Sequence, residues 1–280
     1  MSHICYNGKL IASRTALITS ANRGLRYGDG LFETLLFHNK SLLMWEAHMD
    51  RLWKGMEQLQ FDIPVHFNRQ YLETKTLQLL AKNQHKRARV RINIIRGNGG
   101  VFDPENLFPE YIIETWPLEK SSGINSNGLQ LGIYKDALKV CDSFSNLKSN
   151  NYLPYIMGAL FARKEHYNDA VILNQHQRVS DTCIANIFFI KNGEVFTPAL
   201  SEGCVAGTMR RYFIENLPAW GYPVHETAVS PEDLYTAEEV FLTNAITPIK
   251  WASSLQDNRY GKDTIQKIYS YLLHSLPQYF

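Results

Sequence analysis

The amino-acid sequence predicts an α+β fold arranged as two domains. Short apolar runs of strand length recur through both halves, and longer segments between them repeat apolar residues at helical spacing. The halves are separated by PLEKSSGINSNG at 117–128, where Pro, Gly, Ser and Asn gather between apolar strands. These observations place a smaller N-terminal domain at 1–119, a linker at 120–128 and a larger C-terminal domain at 129–280. A cleft between two such domains is the ordinary place for a small-molecule site.

Element by element, ICYNGKLIAS predicts a hairpin turning at Asn7-Gly8, and LFETLLFHNKSLLM a second one turning through His38-Asn39-Lys40. Trp45, His48, Leu52, Met56 and Leu59 recur at helical spacing, so a helix is expected at 45–59 and another at 68–83. Strands follow at 87–95 and 110–116. Beyond the linker Leu129, Leu131 and Ile133 alternate. A helix at 152–167 carries Tyr152, Ile156, Leu160 and Arg163 along one side, with Leu153, Met157 and Phe161 widening its apolar face. AVILN, IANIFFI and EVFTP are strand-like, and a helix starts near Gly207. SPED at 230–233 has the Ser-x-x-Asp spacing of a capping box with Pro at the first helical position. EEVFLTN and PIKWASS follow as strands. The last helix aligns Ile265, Ile268, Leu272 and Leu276.

Charge excludes several functions. The chain has 29 Lys plus Arg against 27 Asp plus Glu, a net +2 that gives no support to a nucleic-acid or anionic-membrane surface. The basic run HKRARVR alternates with apolar residues and leads into INII, as one polar strand face does. No window is apolar for the roughly 18 residues that span a bilayer. The four cysteines form no C-x-x-C pair, and the N-terminus lacks the apolar core of a signal peptide. Reduced, mostly buried thiols and a cytoplasmic protein are therefore expected.

Taken singly, the glycine-rich segments are turn formers. RYGDGLFE has G-x-G without the third glycine of a dinucleotide loop, and IIRGNGG has no Lys-Ser/Thr for a phosphate loop. No metal-ligand cluster is present, and His48 is expected as a partly packed surface residue. GCVAGTMRRYF is a plausible phosphate seat, because a helix starting at Gly207 leaves backbone N–H groups open and Thr208 adds a hydroxyl.

Seven blocks in this order, NRGLRYGDGLFET, EAHMDRL, RINIIRGNGG, LKSNNYLPYIMGALFARKEHYNDAVILN, VSDTCIANIFFIKNGEVFTP, GCVAGTMRR and EEVFLTNAITPI, together resemble the class IV aminotransferases. These are fold-type IV enzymes using pyridoxal phosphate, among them branched-chain aminotransferases, D-amino-acid aminotransferases and aminodeoxychorismate lyase. The resemblance spans about residues 4 to 253. It implies a D-amino-acid-aminotransferase-like fold with the cofactor at the domain interface, the larger domain carrying the cofactor lysine, and a homodimer.

Carried over residue by residue, the resemblance implies Lys148 as the Schiff-base lysine and Arg51 as the phosphate arginine. Gly207, Thr208 and Met209 correspond to further phosphate-binding backbone, with Met209 standing where the aminotransferases often keep a threonine. Thr243, Asn244, Ala245 and Ile246 correspond to a turn serving phosphate and substrate carboxylate. Tyr152 matches a tyrosine that hydrogen-bonds the cofactor's phenolic oxygen. Asp181 stands where the family usually has a glutamate facing the pyridine nitrogen, and is one methylene shorter, so either its backbone lies closer or a water bridges. Phe32 and Glu33 are expected at the substrate pocket. Arg96 falls where D-amino-acid enzymes bind the α-carboxylate, and Arg91 where branched-chain enzymes read a distal carboxylate. Substrate expectations are a branched-chain or related amino acid with 2-oxoglutarate, and alternatively aminodeoxychorismate, which Asn244 favours, or a D-amino acid; the presence of Lys148 disfavours a non-enzymatic scaffold on this fold.

Overall fold

The computed structural model describes residues 2–119 and 123–280. By internal contact the chain divides into two units, residues 1–120 with Leu147–Asn151 and residues 121–146 with 152–280. Residues 120–122 of the expected linker lie outside the described residues.

The first unit contains β1 (His3–Tyr6), β2 (Lys9–Ala12), α1 (Arg23–Tyr27), β3 (Gly30–His38), β4 (Ser41–Leu42), α2 (Trp45–Gln58), α3 (Arg69–Lys82), β5 (Arg87–Ile95) and β6 (Glu110–Pro117). Among the described residues its strands run β2-β1-β6-β5-β3-β4, every pair antiparallel. Asn7 and Gly8 both take positive φ, as a two-residue hairpin turn needs. Asn39 and Lys40 do the same, so His38, expected in the second turn, instead pairs with Ser41 inside the ladder. Helices α2 and α3 lay Met49, Leu52, Met56, Leu72 and Leu79 onto the sheet face made by Leu35, Val90, Ile92 and Ile113. Period-two alternation then sends Arg89 and Arg91 to the opposite face. The short α1 has too few residues for a periodic signal; Asn22 caps it by accepting from Leu25 N.

Residues 147–151 belong to this first unit, which corrects the expectation that the larger, C-terminal domain carries Lys148. The reason is a strand edge. β4 covers β3 only at Phe37 and His38, so the Gly30–Phe32 end needs other partners. Phe32 N donates to Lys148 O at 2.9 Å, Asn150 N donates to Gly30 O at 3.0 Å, and Leu31 bridges Ser149. Gly30 makes that approach possible, since a Cβ there would collide with Ile94 O and Asn150 Nδ2.

The second unit contains β7 (Leu129–Lys139), α4 (Leu153–Lys164), β8 (Asp169–Asn174), β9 (Val179–Thr182), β10 (Asn186–Lys191), β11 (Glu194–Pro198), α5 (Thr208–Asn216), β12 (Val224–Thr227), α6 (Pro231–Tyr235), β13 (Glu239–Thr243), β14 (Lys250–Leu255), β15 (Asn258–Arg259) and α7 (Asp263–Ser275). Among the described residues these strands form a mixed sheet in the order β12-β11-β10-β13-β14-β7-β8-β9, with β15 on β14. β7 is parallel to both β8 and β14. Ser230 and Asp233 close the expected capping box of α6, and Ile265, Ile268 and Leu272 bury the expected face of α7.

Helix α4 reverses the expected orientation. Tyr155, Gly158 and Ala162 face inward, while Leu153, Ile156, Met157 and Leu160 are exposed. Gly158 decides this, because its missing side chain lets the helix seat against Ile172 of β8 and Cys183, a contact that leucines on that side would prevent. Cys5, Cys183 and Cys204 are buried thiols, and Cys141 is half-buried. No helix among the described residues is long and apolar enough to cross a membrane.

Gly30→Ala is expected to destabilise the protein by about 1–3 kcal/mol through overpacking against the 147–151 segment. Urea denaturation followed by tryptophan fluorescence measures this, and an unchanged midpoint would contradict the close approach.

Candidate functional site

In the first unit the candidate residues gather around Glu33 on β3. Its side chain is 1% exposed and accepts from Arg51 Nε at 2.8 Å, Arg51 Nη2 at 2.6 Å and His48 Nδ1 at 2.6 Å. Helix periodicity explains the pair, since residues three apart on α2 share a face. Burial alone would raise the Glu33 carboxyl, but the charge of Arg51, that of His48 once it is protonated in acid, and the hydrogen bonds of both overcome it and hold it at about 2. His48 is shifted downward, chiefly by burial, with Glu33 opposing and the positive charges of Arg51 and Lys148 assisting. Neutral imidazole therefore carries its hydrogen on Nδ1 and donates it to Glu33. His48 is thus fully buried and not the partly packed surface residue expected from sequence.

Beside this cluster the Phe32 ring holds two cations. Lys148 Nζ lies 4.6 Å from the ring centroid and the Arg91 guanidinium 4.0 Å. Arg91 Nε also donates to Asn93 Oδ1 at 3.2 Å. Arg96 is placed otherwise. Its guanidinium donates to Leu59 O and Gln60 O, pairs with Asp29 at 3.2 Å and covers Phe61 at 4.3 Å, which spends it on local structure.

In the second unit Asp181 on β9 is 2% exposed. Its Oδ1 accepts from Asn186 Nδ2 at 2.8 Å, and its Oδ2 accepts from Tyr155 Oη at 2.7 Å, Val205 N at 3.0 Å and Lys139 Nζ at 3.2 Å. Burial first, and then Asp181, push the Tyr155 phenol well above its ordinary value, so it stays a donor. The Asn186 amide also donates to Val205 O at 2.8 Å. This ties the carboxylate to the loop before α5.

Gly207 is the N-cap of α5 and offers no side chain to the first-turn amides. A Cβ there would collide with Asn186 Oδ1. The first intrahelical bond is Arg211 N to Gly207 O at 2.9 Å, so the N–H groups of Thr208, Met209 and Arg210 precede the ladder. Next to Asn186, across the β10–β13 pairing, Thr243 Oγ1 is buried without a hydrogen-bond partner. The following turn is closed by its own side chain: Asn244 Oδ1 accepts from Ile246 N at 3.0 Å and Thr247 N at 2.9 Å. Ile246 N is therefore committed to Asn244, and Ala245 lies in the bend between them. The Tyr152 ring lies 4.5 Å from that of Tyr155 at a tilt of 31°, and its hydroxyl donates to Cys183 O at 3.2 Å.

Lys139, Tyr155 and His48, the buried partner of Glu33, are the participants that sequence reasoning missed. His48 had a signal, because it sits three residues before Arg51. Lys139 had none, since LKV in a strand is unremarkable.

These features define a protein with two buried, hydrogen-bonded carboxylates and an uncapped helix start suited to an anion. A model of the family "Amino-transferase class IV" matches residues 30–254, and the chain belongs to that family. An aminodeoxychorismate lyase of Vibrio harveyi is 28% identical over 246 residues, 84% of this chain and 86% of that relative. A D-alanine aminotransferase of Listeria innocua is 25% identical over 98% of this chain and 96% of its own length. Among solved structures, the branched-chain amino acid aminotransferase of Escherichia coli superposes with a TM-score of 0.87 at 23% identity, over 98% of this chain and 94% of that one, a likeness of fold.

The family uses pyridoxal phosphate. The second unit fits that group on three observations: the uncapped amides of α5, the orphaned hydroxyl of Thr243 and the buried anion of Asp181. Among the described residues no group of three or more His, Cys, Asp or Glu could hold a metal ion.

Removing one partner from the Glu33 cluster leaves Arg51 uncompensated. Glu33→Ala is expected to cost about 3–5 kcal/mol in chemical denaturation. The pH dependence has a defined sign. Both groups are depressed in the folded state, so their stabilisation is complete at neutral pH. It declines below about 6.5 as His48 resists protonation, and below about 4.5 as Glu33 does, until pH nears 2. Melting temperature should therefore fall from pH 7 to pH 4. A melting temperature that rises over that interval would contradict the cluster's charge state.

Proposed function

We propose that the chain is a pyridoxal-phosphate-dependent aminotransferase that exchanges an amino group between a branched-chain or related amino acid and 2-oxoglutarate. The observation that carries the reading is the Phe32 ring, against which both the Lys148 amine and the Arg91 guanidinium lie. A primary amine beside a fixed guanidinium suits an amino acid with a second carboxylate, as glutamate has.

Pyridoxal phosphate supplies the electron-withdrawing ring that acidifies the α-hydrogen of a bound amine. Lys148 is the attachment residue and moves the proton from the α-carbon. In the first unit Arg51, its plane fixed by two bonds to Glu33, would be a phosphate ligand, and in the second unit the first-turn amides of α5 at Thr208 and Met209 would be phosphate donors. Thr243 would offer its hydroxyl to phosphate, Asp181 would face the pyridine nitrogen, and Tyr152 would hold the phenolic edge of the ring. Arg91 selects the carboxylate of the dicarboxylic partner.

A second reading, aminodeoxychorismate lyase, is favoured by Asn244, whose side chain builds the 244–247 turn, and by the Vibrio harveyi relative. The commitment of Arg96 to Asp29 and the Leu59 and Gln60 carbonyls speaks against the D-amino-acid reading. The same proposal includes a cytoplasmic homodimer. The outward Leu153, Ile156, Met157 and Leu160 of α4 support a second copy as the partner.

Purified protein supplied with pyridoxal phosphate is expected to convert L-leucine and 2-oxoglutarate to 4-methyl-2-oxopentanoate and glutamate. Turnover confined to aminodeoxychorismate would replace the lead with the lyase reading. Lys148→Ala should lower turnover by roughly 10²–10⁴-fold. Arg91→Gln should raise KM for 2-oxoglutarate by about 10- to 100-fold with a smaller change in kcat. In sedimentation the protein should run as a dimer and Ile156→Glu as a monomer.

A further inference from the structure

Asp181 already has a resident cation. Lys139 closes β7 and reaches Asn174 of β8 only after a register shift that follows Tyr134. Its side chain is buried, and its ammonium meets acceptors on every side. Its three hydrogens are shared among Asp181 Oδ2 at 3.2 Å, Ser145 O at 3.4 Å, Tyr155 Oη and Gly203 O. Tyr155 passes its own hydrogen to the same Oδ2 at 2.7 Å. Val205 N adds a third donor to that oxygen. Oδ2 is therefore saturated, while Oδ1 accepts from Asn186 alone and keeps capacity for one more donor.

We propose that Lys139 is a positioning and charge-setting residue: it neutralises Asp181 from behind, locks Oδ2, and leaves Oδ1 as the oxygen that receives the ring nitrogen of the cofactor. The inference rests on the reading of Asp181 as the residue facing that nitrogen. Two consequences follow from electrostatics. The shorter aspartate suffices because its carboxylate is fixed by four donors before any ligand arrives. The ring nitrogen meets an anion whose charge is already shared with an ammonium, so it holds its proton less tightly than it would against an unshared carboxylate. Removing the lysine charge should then strengthen protonation of the ring nitrogen, while destabilising the cofactor-free protein by leaving Asp181 alone.

The test uses pyridoxal phosphate labelled with ¹⁵N at the ring, bound to wild type, Lys139→Met, Lys139→Arg and Asp181→Asn, with the ring signal followed from pH 6 to 9. Lys139→Met is expected to move half-protonation of the nitrogen upward by about one unit or more. Lys139→Arg, which keeps the charge, should stay near wild type, and Asp181→Asn should move it downward. Melting of the cofactor-free proteins supplies a second readout. Lys139→Met should melt lower than wild type, and the double variant Lys139→Met with Asp181→Asn should recover most of that loss. A lysine that merely fills space would lower melting equally in both backgrounds.

A ring signal unchanged in Lys139→Met but moved in Asp181→Asn overturns the role of Lys139 alone. A signal unmoved in Asp181→Asn overturns the placement of Asp181, and failure to take up the cofactor overturns the functional reading, each carrying the inference with it. If Lys139→Met does not fold, Lys139→Gln, which keeps donors for the two carbonyls, gives the same comparison.

Discussion

A carboxylate taken out of water costs several kcal/mol unless donors meet it on every side, and Asp181 organises the second unit on that condition. Its four donors come from separate places in the chain: the end of β7, helix α4, the start of β10 and the loop before α5. None can move without exposing the charge, so the carboxylate fixes the mutual placement of those elements. The helix start at Gly207 inherits this rigidity through Asn186, which donates to Asp181 and Val205 and lies where a Gly207 side chain would be. An anion seat and a buried anion are thereby set in one frame, which a flat ring with a phosphate at one end requires.

The first unit repeats the principle with different parts. Glu33 is buried under α2, and the two residues that compensate it, His48 and Arg51, come from one face of that helix. The pairing costs Arg51 part of its donor capacity and returns a fixed guanidinium plane. Neutral His48 adds a hydrogen bond without adding a third cation to the positive charges of Arg51 and Lys148. Next door, Phe32 is buried against the sheet and presents its face to Lys148 and Arg91, an arrangement that orders two flexible cationic chains at low entropic cost.

Much of this was legible from local patterns. Alternation in RARVRINII assigned its inward and outward faces, and the SPED and Asn-Gly signals set their turns, because those signals depend on a few neighbouring residues. Where reasoning failed, the deciding contact was distant in sequence. The apolar stripe of α4 points outward since Gly158, not the stripe, fits against β8. His48 looks like a surface histidine until Glu33 is known to lie beneath it. Arg96 looks available until Asp29, Leu59, Gln60 and Phe61 surround it.

By itself the sequence determined the α+β class, most elements, the family, and the identity of Lys148, Arg51 and Asp181 as candidates. Each is written in periodicity or in short blocks whose order survives without coordinates. Only the tertiary structure decided which charges are compensated and by whom. Burial and pairing are properties of the assembled interior, so nothing local to Lys139 or Glu33 announces that each stands in contact with a group of opposite sign.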